Sequence, residues 1–599
     1  MPETFLPPAA RTAGRIVVWV VGFALLFLLF AFGWIAVRGY LAYDHLASAQ
    51  KQAPAIASDI GDLSAAGEAI DEIARHTATA RELTSDPIWQ GAESVAWLGP
   101  QLAAFGDAAA AVDDVVTGTV RPIASVADGF GVEAFVPVDG RIDTSVFAAL
   151  AQPATDAAAV AASARDSVAD IDRAPLVTPV QSAVDQLGDV LGEVASGTDA
   201  LARASKLLPS MLGADEPRDH MVLVQNNAEW RSLGGIVGAS TFLRAEDGRL
   251  ALTGQLSSTD VDRYSDPVLD LGEYATIYQA KPGRFLQNVT QVPDFSLSAR
   301  LAQEFAKREG RDVSGVIAID PVALSYILQA TGPVMLVTGE ELTSENVVEL
   351  LLSDVYAKYD DPREQDAFFA AAAGSVFEAL TTGDVDPAKL VAALGRAGSE
   401  HRLSLWSADA DEQEILAGTT LAGAPPRNSV DTARVGVYFN DGGGSKMDYY
   451  VTPDVKLAWA GCASGRSART LQLSVTLTNT APADAATALP AYVVADDFYG
   501  VPGGTARVVG EVYLPEGFAV ASSAITTGRG FGGGMVGDRQ VLSYSIDLEP
   551  GATQTVTIDV IGDTDIRNAE AWVTPTADAG LTPIVRTSCE PDATVAGLG

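Results

Sequence analysis

Six polar side chains in the middle of the chain have the types and the spacing of an anion-binding or metal-binding site. They are Asn227, Arg231, Asp260, Asp262, Arg263 and Asp320. The first two follow an apolar strand-like run, the next three follow a predicted hairpin, and the last ends a further strand-like run. An arginine binds phosphate through a fork of paired hydrogen bonds, and the carboxylates of Asp260 and Asp262 offer the oxygen ligands that Mg²⁺ prefers. We therefore predict a ligand site here, and Mg²⁺ is the only cofactor that these residues suggest.

A structural role is the alternative for the same segment. Glu229 and Arg231 share one face of an extended chain, so the two side chains can pair with each other instead of binding a ligand. Lys281 and Arg284 flank Pro282-Gly283 and are either an addition to the anion site or part of a solvated loop. The sequence contains no recognisable nucleophile with a neighbouring base, metal triad or pair of catalytic carboxylates, so it identifies no catalytic residue.

Alternating strands and helices have to position these side chains. Residues 219–430 alternate short apolar runs, such as 314–319, with helical segments, such as 321–330, and this order predicts an α/β domain. Ligands bind at the carboxyl ends of the strands in such sheets. Because the candidate residues follow strands, they can converge at that edge of the sheet.

Three other regions complete a predicted multidomain architecture. Residues 16–37 form an uncharged apolar run, long enough for a transmembrane helix of about 20 residues, and it lacks the cleavage site of a secretory signal. Residues 42–212 carry apolar residues at helical spacing, which predicts an extended α-helical bundle or stalk, with a helical hairpin packed on itself as the alternative. Residues 433–591 alternate apolar and polar residues between Pro and Gly turns, which predicts a C-terminal immunoglobulin-like β-sandwich.

Charge, cysteine and histidine content restrict where the chain works and what it binds. Arg11 and Arg15 precede the apolar run, so residues 1–15 are predicted to be cytoplasmic and the bulk of the chain extracytoplasmic. A net charge of −38 argues against a nucleic-acid partner. Cys462 and Cys589 are predicted to form a disulfide, with two buried free thiols as the alternative. The four histidines are isolated from one another in the sequence, which argues against zinc.

Three segments resemble the recurring blocks of a family of bacterial membrane-anchored proteins, domain of unknown function 4012. The segments are 225–235 (QNNAEWRSLGG), 312–321 (DVSGVIAIDP) with 331–334 (TGPV), and 445–450 (SKMDYY). Their order is that of the family, and the resemblance covers roughly residues 219–451. The family name implies a place in the envelope and no activity.

The same region also resembles the core of the LytR-CpsA-Psr family, which transfers phosphate-linked glycopolymers from a polyprenyl carrier to the cell wall. A strand ending in a polar loop with Arg231, a hairpin ending near Asp260 and the unit 314–334 carry this resemblance. Those enzymes hold a pyrophosphate with arginines and acidic residues. Their Arg-Ser-Asp-Thr-Ile-type segment is replaced here by Gly234-Gly235-Ile236, so an arginine and a carboxylate of the transferase are missing.

The resemblances imply a single-pass membrane protein of the bacterial cell envelope. The expected function is non-catalytic binding or scaffolding that involves cell-wall glycopolymer, a polyprenyl-phosphate carrier lipid or an envelope protein. The alternative is a phosphotransferase or phosphohydrolase that acts on polyprenyl-phosphate-linked saccharides. The two differ in whether a bound carrier is chemically changed.

Overall fold

The computed structural model divides the chain into two compact units. The first comprises Met1–Phe135 with Asp143–Pro209, and the second comprises Val136–Ile142 with Ser210–Gly599. The structure describes residues 8–58, 63–130, 137, 140–382, 385–430, 432–460, 469–495, 497–527, 530–562, 566, 568–579 and 584–586. Cys462 and Cys589 lie outside these ranges, so the disulfide stays a prediction. The predicted α/β and β regions both belong to the second unit.

The first unit is built from helices. They are α1 (Pro8–Ser58), α2 (Leu63–Leu83), α3 (Pro87–Ala92), α4 (Gly99–Val115), α5 (Arg121–Phe130), α6 (Thr144–Ala169) and α7 (Thr178–Met211). Small side chains allow the helices to pack closely, since Ala42 of α1, Ala80 of α2 and Ala109 of α4 are fully buried in one cluster. Val168 of α6 and Leu191 of α7 meet in another cluster. The region predicted as a bundle or stalk therefore consists of helices packed on one another.

Helix α1 contains the predicted membrane segment and continues beyond it. In the described part of the chain it is the one helix long and apolar enough to cross a membrane, over Arg15–Gln52. By length and composition it is compatible with an anchor or with a signal sequence. The predicted membrane segment, residues 16–37, lies within this helix, and the helix continues to Ser58, and its polar part contacts α2. Arg38, for example, donates from Nε to the Leu83 carbonyl at 2.8 Å.

A mixed sheet forms the first part of the second unit. The strands in this part are β1 (Arg218–Arg231), β2 (Gly234–Glu246), β3 (Arg249–Ser257), β4 (Gly315–Ile319), β5 (Val334–Met335), β6 (Glu341–Leu342) and β7 (Leu403–Ser407). The sheet has the order β3-β2-β1-β4-β7, while β5 and β6 pair separately. Strands β1 and β4 are parallel, with Val222 opposite Ile317, and the other pairs in the sheet are antiparallel.

Helices cover this sheet and provide much of its core. They are α8 (Ala275–Tyr278), α9 (Lys281–Arg284), α10 (Phe295–Arg308), α11 (Pro321–Thr331), α12 (Val347–Glu349), α13 (Val355–Lys358), α14 (Pro362–Thr382), α15 (Pro387–Ser399) and α16 (Ala410–Leu416). Leu301 and Phe305 of α10 are fully buried with Met221 and Leu223 of β1. The alternating apolar residues of β1 thus fix the sheet face that α10 covers.

Two further sheets follow. Their strands are β8 (Thr432–Asp441), β9 (Val451–Ala460), β10 (Arg469–Asn479), β11 (Ala506–Tyr513), β12 (Phe518–Ile525), β13 (Phe531–Val536), β14 (Arg539–Leu548), β15 (Thr553–Gly562), β16 (Asn568–Val573) and β17 (Ile584–Arg586), and two short helices, α17 (Ala485–Ala488) and α18 (Ala491–Val494), lie between β10 and β11. The sheet orders are β12-β15-β10-β9-β17 and β13-β14-β11-β8-β16.

One hydrophobic cluster joins these two sheets to the mixed sheet. Leu473 of β10 and Val512 of β11 belong to the same cluster, so the inner faces of the two sheets share a core. Trp230 of β1 is fully buried in that cluster as well, with its ring centroid 5.3 Å from that of Phe439 on β8. The shared core explains why the predicted α/β and β regions form a single compact unit.

Candidate functional site

A cavity of about 780 Å³ lies where β1, β3 and β4 end. Val224 and Ile236 contribute apolar walls from β1 and β2, and Leu351 and Phe369 add further apolar surface. The parallel strands β1 and β4 point the same way, so their carboxyl ends meet at this edge, as expected for a ligand site in an α/β sheet. Arg231 lines the cavity at the end of β1.

Two cations in the cavity lining lie beside the ring of Phe285, and a third, Lys281, also lines the cavity. The guanidinium carbons of Arg263 and Arg284 lie 5.3 and 5.8 Å from the ring centroid, and Arg284 also donates from Nε to the Tyr264 carbonyl at 2.9 Å. The described partners of both arginines are therefore a ring and a carbonyl rather than a carboxylate. Lys281 is exposed and begins helix α9, so the segment predicted as a solvated loop is a short helix, while its part in an anion site stays a prediction. We call Arg263, Lys281 and Arg284 the basic rim.

A buried carboxylate lies between two buried cations elsewhere in the cavity lining. Glu229 accepts from Arg231 Nη2 at 2.9 Å through Oε1, and its Oε2 lies 3.5 Å from Lys446 Nζ. The exposed fractions of the three side chains are 14%, 8% and 7%. Lys446 Nζ also lies 5.0 and 5.3 Å from the ring centroids of Tyr356 and Tyr492, which is cation–π geometry. The pairing of Glu229 with Arg231 is the structural alternative predicted from the sequence.

The ionisation of Lys446 is set by these neighbours. Burial alone lowers the pKa of its ammonium group, but Tyr356, Glu229 and Tyr492 together raise that pKa above its ordinary value. Lys446 therefore remains charged at neutral pH. Asp441 behaves differently, since burial and the nearby charge of Glu229 raise the pKa of its carboxyl to about 6.

The glycines after Asp441 do not form an open anion-binding loop. Asp441 accepts through Oδ1 from the Gly443 N–H at 3.0 Å and through Oδ2 from the Gly444 N–H at 2.6 Å. Those backbone donors are occupied by a carboxylate of the chain itself. Gly444 has a φ of +69°, and a Cβ there would lie 2.7 Å from the ring of Tyr499, so only glycine fits this turn.

Segments that are far apart in the sequence are joined at this site. The Trp230 N–H donates to Asp448 Oδ2 at 2.9 Å, and the Ser232 N–H donates to Asn440 Oδ1 at 3.1 Å. Together with the Glu229–Lys446 contact, these bonds connect the end of β1 and Ser232 to the end of β8 and the segment that follows it. Sequence reasoning missed Lys446 as a site residue, although two of the resembling segments, 225–235 and 445–450, contain the two partners.

Asn227 and Asp320 lie together, but in a buried cluster and not in the cavity lining. Asn227 Nδ2 donates to Asp320 Oδ2 and to the Pro575 carbonyl, each at 3.1 Å. Asp320 caps helix α11 by accepting from the Ala323 N–H at 2.8 Å, and its Oδ2 pairs with Arg402 Nη1 at 2.8 Å. Asn227 Nδ2 and the Asp320 carboxylate thus hold β1, α11 and the segment after β16 together. Asn227 Oδ1 is buried and has no hydrogen-bond partner among the described residues.

The remaining predicted residues separate as well. Arg263 lines the cavity, whereas Asp260 and Asp262 are exposed and do not line it. The chain turns directly after β3, where the Asp260 N–H donates to the Ser257 carbonyl at 3.1 Å. Arg231, Asp260 and Asp320 therefore do not share one cavity. Within the described ranges, no group of three or more His, Cys, Asp or Glu side chains is placed to hold a metal ion.

Comparison with known proteins supports one of the two resemblances. The comparisons with curated proteins and with solved structures each gave no match. Residues 215–356 match the family model described as Protein of unknown function (DUF4012). The matched residues include Glu229 and Arg231 and the strands and helices from β1 to α12, and they end before Lys446. This match supports the resemblance of the chain to DUF4012 proteins, a family whose description states no activity.

Proposed function

We propose that the second unit binds a carrier lipid, in which an anionic phosphate group is joined to an apolar polyprenyl chain. The observation that carries this proposal is the combination, in one cavity, of a basic rim without a described carboxylate partner and of apolar walls. The volume of about 780 Å³ is in the range typical of small-molecule sites. The bound molecule need not be chemically changed, so the function is binding or scaffolding in the cell envelope.

The apolar part of the lining favours a hydrocarbon chain. The partly exposed side chains of Val224, Phe285 and Phe369 line the cavity, and so do the exposed rings of Phe498 and Tyr499. Each square ångström of apolar surface removed from water contributes roughly 25 cal/mol. A purely ionic ligand such as inorganic phosphate gains nothing from these walls, whereas an isoprenoid chain does.

The basic rim favours a phosphate group at the other end of the ligand. Arg263 and Lys281 are exposed in the lining of the same cavity, and neither has a described carboxylate partner although the chain has a net charge of −38. Their charge remains available to an incoming anion. Arg263 can also present two parallel N–H donors to phosphate oxygens, which lysine cannot.

The other expectations from the sequence enter the proposal unchanged. We propose that α1 anchors the chain with residues 1–15 in the cytoplasm, that the sheets formed by β8 to β17 are an immunoglobulin-like sandwich, and that the mixed sheet is a degenerate relative of the LytR-CpsA-Psr core. The apolar run, the shared core of the two sheets and the replaced segment 234–236 support these three points. Glycopolymer and an envelope protein remain the further partners of the proposal.

Calorimetric titration of the full-length protein in detergent micelles tests the proposal. The probes are farnesyl phosphate, farnesol and inorganic phosphate, each with and without Mg²⁺. We expect farnesyl phosphate to bind more tightly than farnesol or inorganic phosphate. Arg263→Gln combined with Lys281→Gln should weaken farnesyl phosphate binding by about tenfold or more, because hydrogen bonds to charged groups are removed. Lys307→Gln, an exposed lysine outside the cavity lining, is the matched control.

Each outcome bears on the proposal. Absence of farnesyl phosphate binding, or equal binding of farnesol and the phosphate ester, overturns it. Equal effects of the rim variant and the Lys307 control show a nonspecific charge effect and also overturn it. Release of phosphate from the bound ester, followed by mass spectrometry, replaces the binding function with the phosphohydrolase alternative.

A further inference from the structure

Two histidines from different helices meet in the first unit. The Nδ1 atoms of His45 on α1 and His76 on α2 lie 2.8 Å apart, and the ring centroids are 5.0 Å apart with the planes inclined by 49°. Sequence spacing does not reveal this pair, because its members are 31 positions apart. We propose that His45 and His76 form a binding site for a divalent transition-metal ion such as Zn²⁺. The proposal is independent of the cavity in the second unit.

The geometry is close to that of two imidazoles on one ion. A contact of 2.8 Å between two ring nitrogens requires one proton between them, since two lone pairs or two protons would repel. Zinc bound at about 2.0 to 2.1 Å from each nitrogen, with a tetrahedral angle, places the nitrogens about 3.3 Å apart. The pair therefore has to open by about 0.5 Å while the ion replaces the shared proton. Both rings are only partly buried, so their side chains have room for this rotation.

A carboxylate stands at the other side of the pair. Glu72 lies one helical turn before His76, and its Oε1 is 3.9 Å from His76 Nε2. This charge favours the tautomer that carries its proton on Nε2 and directs the Nδ1 lone pair toward His45. A carboxylate beside the remote nitrogen is the usual companion of a metal-binding histidine, because it orients the ring and raises its basicity. Imidazole is also a ligand that suits zinc, copper and nickel.

The helices do not need the histidine pair to pack. Ala49 on α1 is buried with Ile73 and Ala74 on α2, and Ala42 is buried with Ala80. These apolar contacts lie on either side of the pair along both helices. Replacing a histidine should therefore leave the interface intact, and an ion at this position would add a cross-link between α1 and α2.

Metal titration of the full-length protein in detergent micelles, after treatment with a chelator, tests the site. Zn²⁺ is titrated by calorimetry, and Cu²⁺ is added for electron paramagnetic resonance, whose hyperfine pattern counts the bound nitrogens. We expect one ion per chain and two imidazole nitrogens. His45→Ala or His76→Ala should weaken binding at least tenfold and remove the two-nitrogen signature. Glu72→Gln should weaken binding by about tenfold, the lower end for a residue that orients a ligand.

Glu68→Gln is the matched control, since Glu68 is an exposed carboxylate one turn earlier on α2. Circular dichroism of each variant checks that the helices remain. Unchanged binding in the double variant His45→Ala/His76→Ala places the ion elsewhere and overturns the proposal. Absence of binding to the unmodified protein, or equal losses for Glu68→Gln and Glu72→Gln, also overturns it and leaves an ordinary hydrogen bond between two histidines.

Discussion

A ligand-binding role and a structural role of the Asp320 carboxylate predict opposite effects when this residue is replaced. The sequence pattern places it among the ligand-binding residues, whereas the structure surrounds it with protein donors. Its side chain is 1% exposed, and that of its partner Arg402 is 4% exposed. Asp320→Ala removes the ion pair at 2.8 Å and the N-cap of α11 together. Asp320→Asn removes the charge and keeps a capping side chain.

The expected loss of stability follows from these contacts. Breaking a buried ion pair by removing one partner costs about 3 to 5 kcal/mol, because the other charge stays buried. Arg402 retains Glu400 at 2.9 Å and the Thr576 carbonyl at 2.8 Å, so we take the lower end, about 3 kcal/mol. Loss of the cap adds about 1 kcal/mol. Asp320→Ala should therefore destabilise the second unit by about 4 kcal/mol and Asp320→Asn by about 3 kcal/mol, since asparagine caps as well as aspartate.

Thermal unfolding of the full-length protein, followed beside farnesyl phosphate titration, measures both effects. We expect a clear fall in melting temperature for both variants and unchanged affinity at temperatures where they are folded. Asp312→Asn is the control, since Asp312 is exposed and such changes stay within about 0.5 kcal/mol. The double variant Asp320→Ala/Arg402→Met should be less destabilised than the sum of its single changes, because no unpaired buried charge remains.

The opposite pattern would refute this reasoning. If Asp320→Ala leaves the melting temperature unchanged and abolishes farnesyl phosphate binding, the carboxylate acts on the ligand, as the sequence suggested. Additive effects of the two single changes would show that Asp320 and Arg402 do not stabilise each other. A fall in both stability and affinity for Asp320→Asn, but not for Arg402→Met, would also favour a ligand role.

Two further predictions concern pH and topology. Burial raises the pKa of Glu511 to about 8, although Asn440 donates to its Oε2 at 2.9 Å. The folded state therefore keeps a proton on Glu511 that the unfolded state releases above pH 4.5. The contribution of Glu511 to the free energy of unfolding is complete below pH 4.5 and is lost as the pH rises through 8. Thermal scans should show a steeper fall between pH 5 and 9 for the unmodified protein than for Glu511→Gln, and identical slopes would contradict the assignment. In intact spheroplasts, external trypsin should cleave at Arg173 in the loop between α6 and α7, and protection of that site would overturn the extracytoplasmic placement.

The order of elements around the site was predictable from local patterns. The buried run before Asp320 is β4, and the helical segment after it is α11, which begins with Pro321 at its first position. An aspartate directly before a helix that starts with proline is also the signature of an N-cap. The capping signal predicts the role of Asp320 more accurately than its position at the end of a strand does, because one carboxylate oxygen accepts the hydrogen bond of the cap.

The contacts that complete the site depend on tertiary packing, so sequence spacing could not reveal them. Lys446 meets Glu229 only because β8 packs beside the mixed sheet and shares its core through Trp230. His45 and His76 meet only because small residues hold α1 against α2. In both cases the two partners belong to different helices or strands. Neither pair has the short sequence spacing by which charged or metal-binding pairs are recognised. The exposed positions of Asp260 and Asp262 depend in the same way on a turn after β3.

The two roles considered for Arg231 can be reconciled by charge. Its guanidinium lines the cavity and also pairs with Glu229, which is shared with Lys446. The carboxylate of Asp441, whose pKa is about 6, lines the same cavity, so two cations and two carboxylates leave little net charge at that end at neutral pH. The basic rim has three cations, of which Arg263 and Arg284 contact Phe285 rather than a described carboxylate. At an effective dielectric constant of about 20, one unpaired charge at 4 Å attracts a phosphate by about 4 kcal/mol. The phosphate group of the proposed ligand should therefore lie at the Phe285 end, while Arg231 acts mainly by fixing Glu229 and, through it, Lys446.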